Sequence, residues 1–130
     1  MYVDVLTVSQ RGEERSWSEM TPDPGWSDIE RAIRELDGQQ RCLLTLASDD
    51  ALLSIGGGDG RYLIHASLDS HSFQSAVEPA QPGYPVPVPL PGRQRSCPAR
   101  MVLDQKKAMR VARAFALGGC LERSLSWEAC

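Results

Sequence analysis

The residues of this chain whose types could do chemistry are few. They are the glycine run GGGDG at 56–60, two histidines, four cysteines and the acid pairs Glu13–Glu14 and Asp49–Asp50. A P-loop needs G-x-x-x-x-G-K-[ST] before a helix, and a dinucleotide loop needs G-x-G-x-x-G before a helix. Here the glycines lie between two apolar runs that read as strands, and no lysine follows them. They predict a turn or bulge that needs positive φ or close backbone approach, with a displayed tip. His65 falls mid-strand, on one face with Arg61 and Leu63, while Tyr62 and Ile64 take the other. No serine or cysteine near it carries a nucleophile signature, and His71 falls in a polar stretch. Cys42, Cys97, Cys120 and Cys130 are 55, 23 and 10 residues apart, which leaves no CxxC pair, and the histidines miss zinc-finger spacing. The acid pairs stand in turns without a supporting cluster. Acid, base and oxyanion donor do not assemble, so the expectation is a non-enzyme with no metal and no cofactor. The alternative is a small-molecule-binding or enzymatic α+β domain using the Gly56–Gly60 hairpin and His65. It requires a concave pocket holding His65 and a carboxylate.

The elements that position these residues come from pattern and composition. The chain has 130 residues, 42% hydrophobic and 24% charged, the mix of one folded domain spanning 1–130. No apolar run approaches the roughly 18 residues a membrane span needs. The start MYVDVLTVSQRGEE lacks a basic n-region, so thiols in a cytoplasmic protein are expected. A net charge of −3 argues against direct nucleic-acid binding. The average hides a division: residues 1–60 carry −7 and residues 61–130 carry +4. An acidic half attracts a basic partner, and Asp28, Glu35, Asp37, Asp49, Asp50 and Asp59 are candidates to mimic phosphates.

Residues 2–8 read as a strand and the polar stretch 9–25 as a loop. The run WSDIERAIRELDG at 26–38 predicts a helix with a Ser27–Glu30 capping box, a buried stripe of Trp26, Ile29, Ile33 and Leu36, and a Gly38 stop. Runs 41–48, 51–56 and 61–68 predict an antiparallel meander, with Cys42 in its core. A short edge strand around Phe73, Ala76 and Val77 follows. The prolines of 84–92 exclude a central strand and leave an edge segment or an extended arm. Residues 98–103 read as another strand. A second helix over 104–117 has Asp104 as N-cap, Ala108, Val111, Ala112 and Phe115 as its buried stripe, and Gly118–Gly119 as its end. Leu121, Leu125 and Trp127 should pack the tail down. The fold class is α+β, a single mainly antiparallel sheet of five to six strands with two helices packed on it.

Five blocks occur in order: WSDIERAIRELDG, LLSIGGGDGRYLIH at 52–65, GRQRSCPARMVL at 92–103, KKAMRVARAFALGG at 106–119 and SLSWE at 124–128. Together they resemble the Imm-type immunity family of bacterial polymorphic toxin systems, the one often encoded beside deaminase toxins. The family-motif residues are Trp26, Gly56, Gly57, Gly58, Trp127 and Glu128. The resemblance implies a non-enzymatic cytoplasmic protein that binds and neutralises a cognate secreted or contact-delivered toxin domain by covering its active site. For the deaminase-linked branch that toxin is a zinc-dependent nucleobase deaminase. Where the family block before PAR opens with two glycines, this chain has Gly92–Arg93. Tight interfaces rest on a few aromatic and arginine anchors. The candidates for a toxin interface are Asp59, Arg61, Tyr62, Tyr84, Arg93 and Arg95. Tyr62 reads equally as core, Trp127 as packing, and Glu128 as a partner for backbone or for the Arg100 region.

Overall fold

A computed structural model describes residues 2–12, 14–78, 84–90 and 93–129, with positions 90, 93 and 94 described by backbone alone. Among these described residues, nine strands, two helices and one 3-10 turn follow in the order β1 (Val5–Arg11), β2 (Ser16–Pro22), α1 (Trp26–Glu35), β3 (Arg41–Ser48), β4 (Ala51–Gly58), β5 (Arg61–Ser67), β6 (Gln74–Val77), β7 (Pro85–Leu90), β8 (Arg93–Pro98), the turn Ala99–Met101, α2 (Gln105–Gly118) and β9 (Ser126–Ala129). Seven strands form one antiparallel sheet in the order β2-β1-β3-β4-β5-β6-β9, and β7 and β8 form a separate ribbon. The α+β architecture is as expected, with more strands than the sequence pattern revealed.

The meander supplies the core because its apolar residues recur with period two. Register places Leu44 opposite Ile55 and Ile55 opposite Ile64, with Leu46, Leu53 and Ala66 in the next row. All six are at most 2% exposed. The helices lie over this face, where Ile29, Ile33, Leu36, Ala108, Val111, Ala112 and Phe115 are buried in the same cluster. Each fully buried Leu, Ile or Phe side chain contributes about 1.5–3 kcal/mol against the ordering entropy. On the opposite face the ribbon's Val88 and Cys97 pack on Leu63.

Four local expectations are corrected. Residues 9–25 are not one loop: β1 runs on to Arg11, and β2 returns beside it from Ser16 to Pro22. Nearly every β2 side chain is exposed, so it has no apolar alternation to read. Helix α1 starts two residues earlier than the Ser27–Glu30 capping-box reading. Gly25 is its N-cap, and the Asp28 carboxylate accepts the Gly25 N–H at 2.8 Å, while Glu30 pairs with Arg34 at 2.9 Å. Residues 98–103 are not a strand, because the pairing lies earlier, in β8, and a 3-10 turn follows. Cys42 is half-buried rather than core, its thiol 3.5 Å from the Ser9 carbonyl oxygen. In addition, β6 is not an edge, since β9 pairs on its outer side.

Helix α2 follows its local signals. The Asp104 carboxylate accepts the Lys107 N–H at 2.8 Å, and Gly119 closes the helix in the left-handed region at φ 64°. A Cβ on Gly119 would stand 2.6 Å from the Tyr2 ring, which packs edge-on against Phe115 with centroids 5.6 Å apart. No helix among the described residues is long and apolar enough to cross a membrane.

Candidate functional site

The glycine run divides into two parts with different work. Gly56, Gly57 and Gly58 belong to β4, and the turn itself is Asp59–Gly60, with φ of 53° and 78°. Both central residues have positive φ, as a tight two-residue hairpin requires. Gly58 lies against the chain leaving α1: a Cβ there would stand 2.4 Å from the Asp37 carbonyl carbon. An isolated bridge joins Asp37 to Gly58. Gly57 has φ 108°, and a Cβ on it would meet the Arg61 carbonyl oxygen at 2.3 Å. The close-approach reading of these glycines therefore holds, and the displayed tip is Asp59–Gly60.

This approach brings distant segments around one cleft of about 550 Å³. Its walls are the last turn of α1 with Arg34, the extended exit with Leu36 and Asp37, the turn Asp59–Gly60, Tyr62, Pro89 of the ribbon and Gln105 at the start of α2. The bridge between Tyr62 and Leu103 fixes the far wall, with reciprocal backbone hydrogen bonds of 2.8 and 2.9 Å. Tyr62 is 1% exposed, so it is a core residue and not a displayed contact. Its hydroxyl accepts from Gln105 Nε2 at 3.4 Å.

Two carboxylates line the cleft. Asp37 Oδ1 accepts backbone N–H groups of Gln39 and Gln40 at 2.9 Å and of Arg41 at 3.0 Å. Burial alone pushes the Asp37 pKa up, but those N–H groups and the Arg41 charge outweigh it and hold the carboxyl below its usual 3.8. Asp37 is thus anionic at neutral pH and locked in place. Asp59 is exposed on a turn set by backbone geometry. Of the cleft residues, Arg34 brings a positive charge and is paired with Glu30.

The other sequence candidates are dispersed. Arg61 is exposed, and its guanidinium donates to the Pro87 carbonyl oxygen at 3.0 Å, which fastens the ribbon to the sheet. Tyr84 is 58% exposed and, with Arg61, lines a shallow pocket of about 240 Å³ on the other side of Gly60. Arg95 is exposed on the ribbon, near enough to His65 to act on its charge. Arg93 begins β8, and its side chain lies outside the described residues. Trp26 is half-buried and Trp127 packs partly against the core, its indole N–H donating to the Glu122 carbonyl oxygen at 3.0 Å. Glu128 forms an ion pair with Arg100, the region expected for it.

His65 stands apart from the cleft. It shares the outer face with Thr7, Thr45, Ser54, Ser75 and Glu128, one residue per strand in register. Its Nδ1 is 2.8 Å from the Ser75 hydroxyl. Burial first, and then the Arg95 charge, hold its pKa below the usual 6.5. The pocket that would join His65 to the hairpin and a carboxylate is not this cleft, whose walls exclude His65. No group of three or more histidine, cysteine or acidic side chains among the described residues could hold a metal ion.

The six acids do not make one surface. Asp37 and Asp59 converge. Asp28 pairs with Arg31 at 3.3 Å, and Asp49–Asp50 turn the opposite end of β4, roughly 25 Å away at about 3.3 Å per residue. The cleft residues that sequence reasoning missed are Arg34, Gln39, Pro89 and Gln105, whose polar or proline character carries no local signal. Comparison with known families, proteins and solved structures finds no match for this chain.

Proposed function

We propose that this chain is an immunity protein that binds a toxin domain in the cytoplasm and blocks it, with no catalysis of its own. The toxin is a deaminase acting on nucleobases. Supporting the reading, segments from three of the resembling blocks meet at the acidic cleft, Arg34–Asp37, Gly58–Tyr62 and Leu103, with Gln105 just before the fourth. A deaminase must admit a flipped or single-stranded base through a channel that attracts phosphate. Its channel is therefore basic. Asp37 and Asp59 offer carboxylates to those basic groups where phosphates would otherwise lie, and the bulk around them closes the entrance. The carboxylates gain from preorganisation, because neither the Asp37 turn nor the Asp59–Gly60 hairpin needs to be ordered on binding.

The test is coexpression with the toxin encoded beside this chain, followed by co-purification and growth rescue. A complex with rescue is expected. Asp59→Asn keeps a residue that tolerates positive φ and removes the charge. It should slow association several-fold and flatten the salt dependence of the dissociation constant. No complex and no rescue would refute the immunity reading. A complex indifferent to Asp59→Asn would move the interface away from the cleft.

A further inference from the structure

A second surface has the opposite charge. Helix α2, QKKAMRVARAFALG, contains no acidic residue. Lys106, Arg110 and Arg113 recur at i, i+4 and i+7, so they share one side of the helix over about 10 Å at 1.5 Å rise per residue. All three are exposed. Among the described residues none of them has a carboxylate within ion-pairing distance, whereas Lys107, on the other side, is paired with Glu78 at 2.6 Å. The stripe lines a groove of about 330 Å³ between α1 and α2, with Trp26 and Met109 as its apolar lining. The Arg113 guanidinium stands 5.9 Å from the centre of the Trp26 ring. Arg110 and Arg113 continue into a further depression of about 420 Å³ that reaches Leu117. Leu117 is 51% exposed.

We propose that the α1–α2 groove is a docking site for an acidic amphipathic helix of a protein partner. Its carboxylates meet Lys106, Arg110 and Arg113, and its apolar residues meet Trp26, Met109 and Leu117. The occupant is set by charge complementarity and by the mixture of groups. Three unneutralised cations in a chain of net charge −3 call for anions. The half-buried Met109 and the exposed Leu117 call for apolar atoms between and beyond those anions, which a phosphate backbone does not present. The α1 wall carries the Glu30–Arg34 ion pair, which adds no net charge to the groove. A helix with acids at i, i+4 and i+7 repeats the spacing of the stripe. Arg34 lines both this groove and the acidic cleft, but Lys106, Arg110 and Arg113 line the groove and not the cleft, and the proposal does not depend on the immunity reading.

The experiment uses fluorescence anisotropy with the full chain and three labelled probes. One is an 18-residue capped peptide with glutamates at i, i+4 and i+7 beside leucines. The second is its scrambled isomer, and the third is an 18-nucleotide single strand. The patterned peptide should bind at least about tenfold more tightly than the scramble, and charge reversal at Lys106, Arg110 and Arg113 together should abolish that difference. Arg110→Gln alone, with its thermal transition checked, should weaken the patterned peptide several-fold. Equal binding of both peptides, or binding retained after charge reversal, would overturn the proposal. So would preference for the oligonucleotide, or sedimentation showing that a second copy of the chain covers the groove.

Discussion

Replacing each glycine of the β4–β5 hairpin by alanine adds the same methyl group at four sites with four different neighbourhoods. At Gly58 the new Cβ would lie 2.4 Å from the Asp37 carbonyl carbon and 2.7 Å from both the Asp37 Cα and the Gly38 nitrogen. All three are backbone atoms, and the Asp37 turn that holds them is tied by its own carboxylate. Relief therefore requires β4 to separate from the α1 exit, at about 3 kcal/mol. At Gly57 a contact of 2.3 Å with a carbonyl oxygen adds to φ of 108°, so the cost is again about 3 kcal/mol or more. Gly60 has φ 78° with nothing within 4 Å, which leaves only backbone strain of about 1 kcal/mol. Gly56 has its nearest neighbour at 3.6 Å and no positive φ, so its change should stay within about 0.5 kcal/mol. Urea unfolding reads these values. With a slope of about 1.5 kcal/mol per molar, the midpoint falls by about 2 M for Gly57→Ala and Gly58→Ala, about 0.7 M for Gly60→Ala, and little for Gly56→Ala. A Gly58→Ala midpoint as high as that of Gly56→Ala would refute the close-approach argument. It would also send the reason for the glycine run back to the partner.

Two further outcomes follow from local geometry. The unfolded chain takes up a proton on His65 near its usual pKa of 6.5, where the folded chain does not. Folding stability should therefore decline as pH falls below about 6.5 and level off once the folded imidazole is also protonated. Urea unfolding at about pH 7.5 and 5.5 should show a larger loss for the wild type than for His65→Asn, and equal losses would contradict the assignment. Asp104→Ala removes the α2 cap and should cost about 1 kcal/mol, with Asp104→Asn retaining most of it. Identical midpoints for all three proteins would show that the cap contributes nothing.

Much of this fold is legible locally. The Asp104 cap acts on the N–H three residues on, and Gly119 ends its own helix. The α1 stripe and the meander are set by periods of 3.6 and 2 over a few turns or a few residues. Those signals need no knowledge of the rest of the chain. The strands that escaped sequence reading are β2, β8 and β9. Polar or proline-flanked, and placed at an edge or in a ribbon, they show no buried alternation. Tyr62 read equally as surface or core, because strand parity assigns a face without saying what covers it.

The residues alone determined the two helices, the three-strand meander, the need for close backbone approach at the glycine run, and the −7 and +4 division of charge. Only the tertiary structure decided where those charges act. Gly58 meets Asp37 across 21 residues of chain and Tyr62 meets Leu103 across 41, and these contacts form the acidic cleft. The packing of α1 beside α2 turns a basic helical stripe into a groove. Close approach and groove formation depend on segments far apart in sequence, and a local pattern carries no information about which of them will meet.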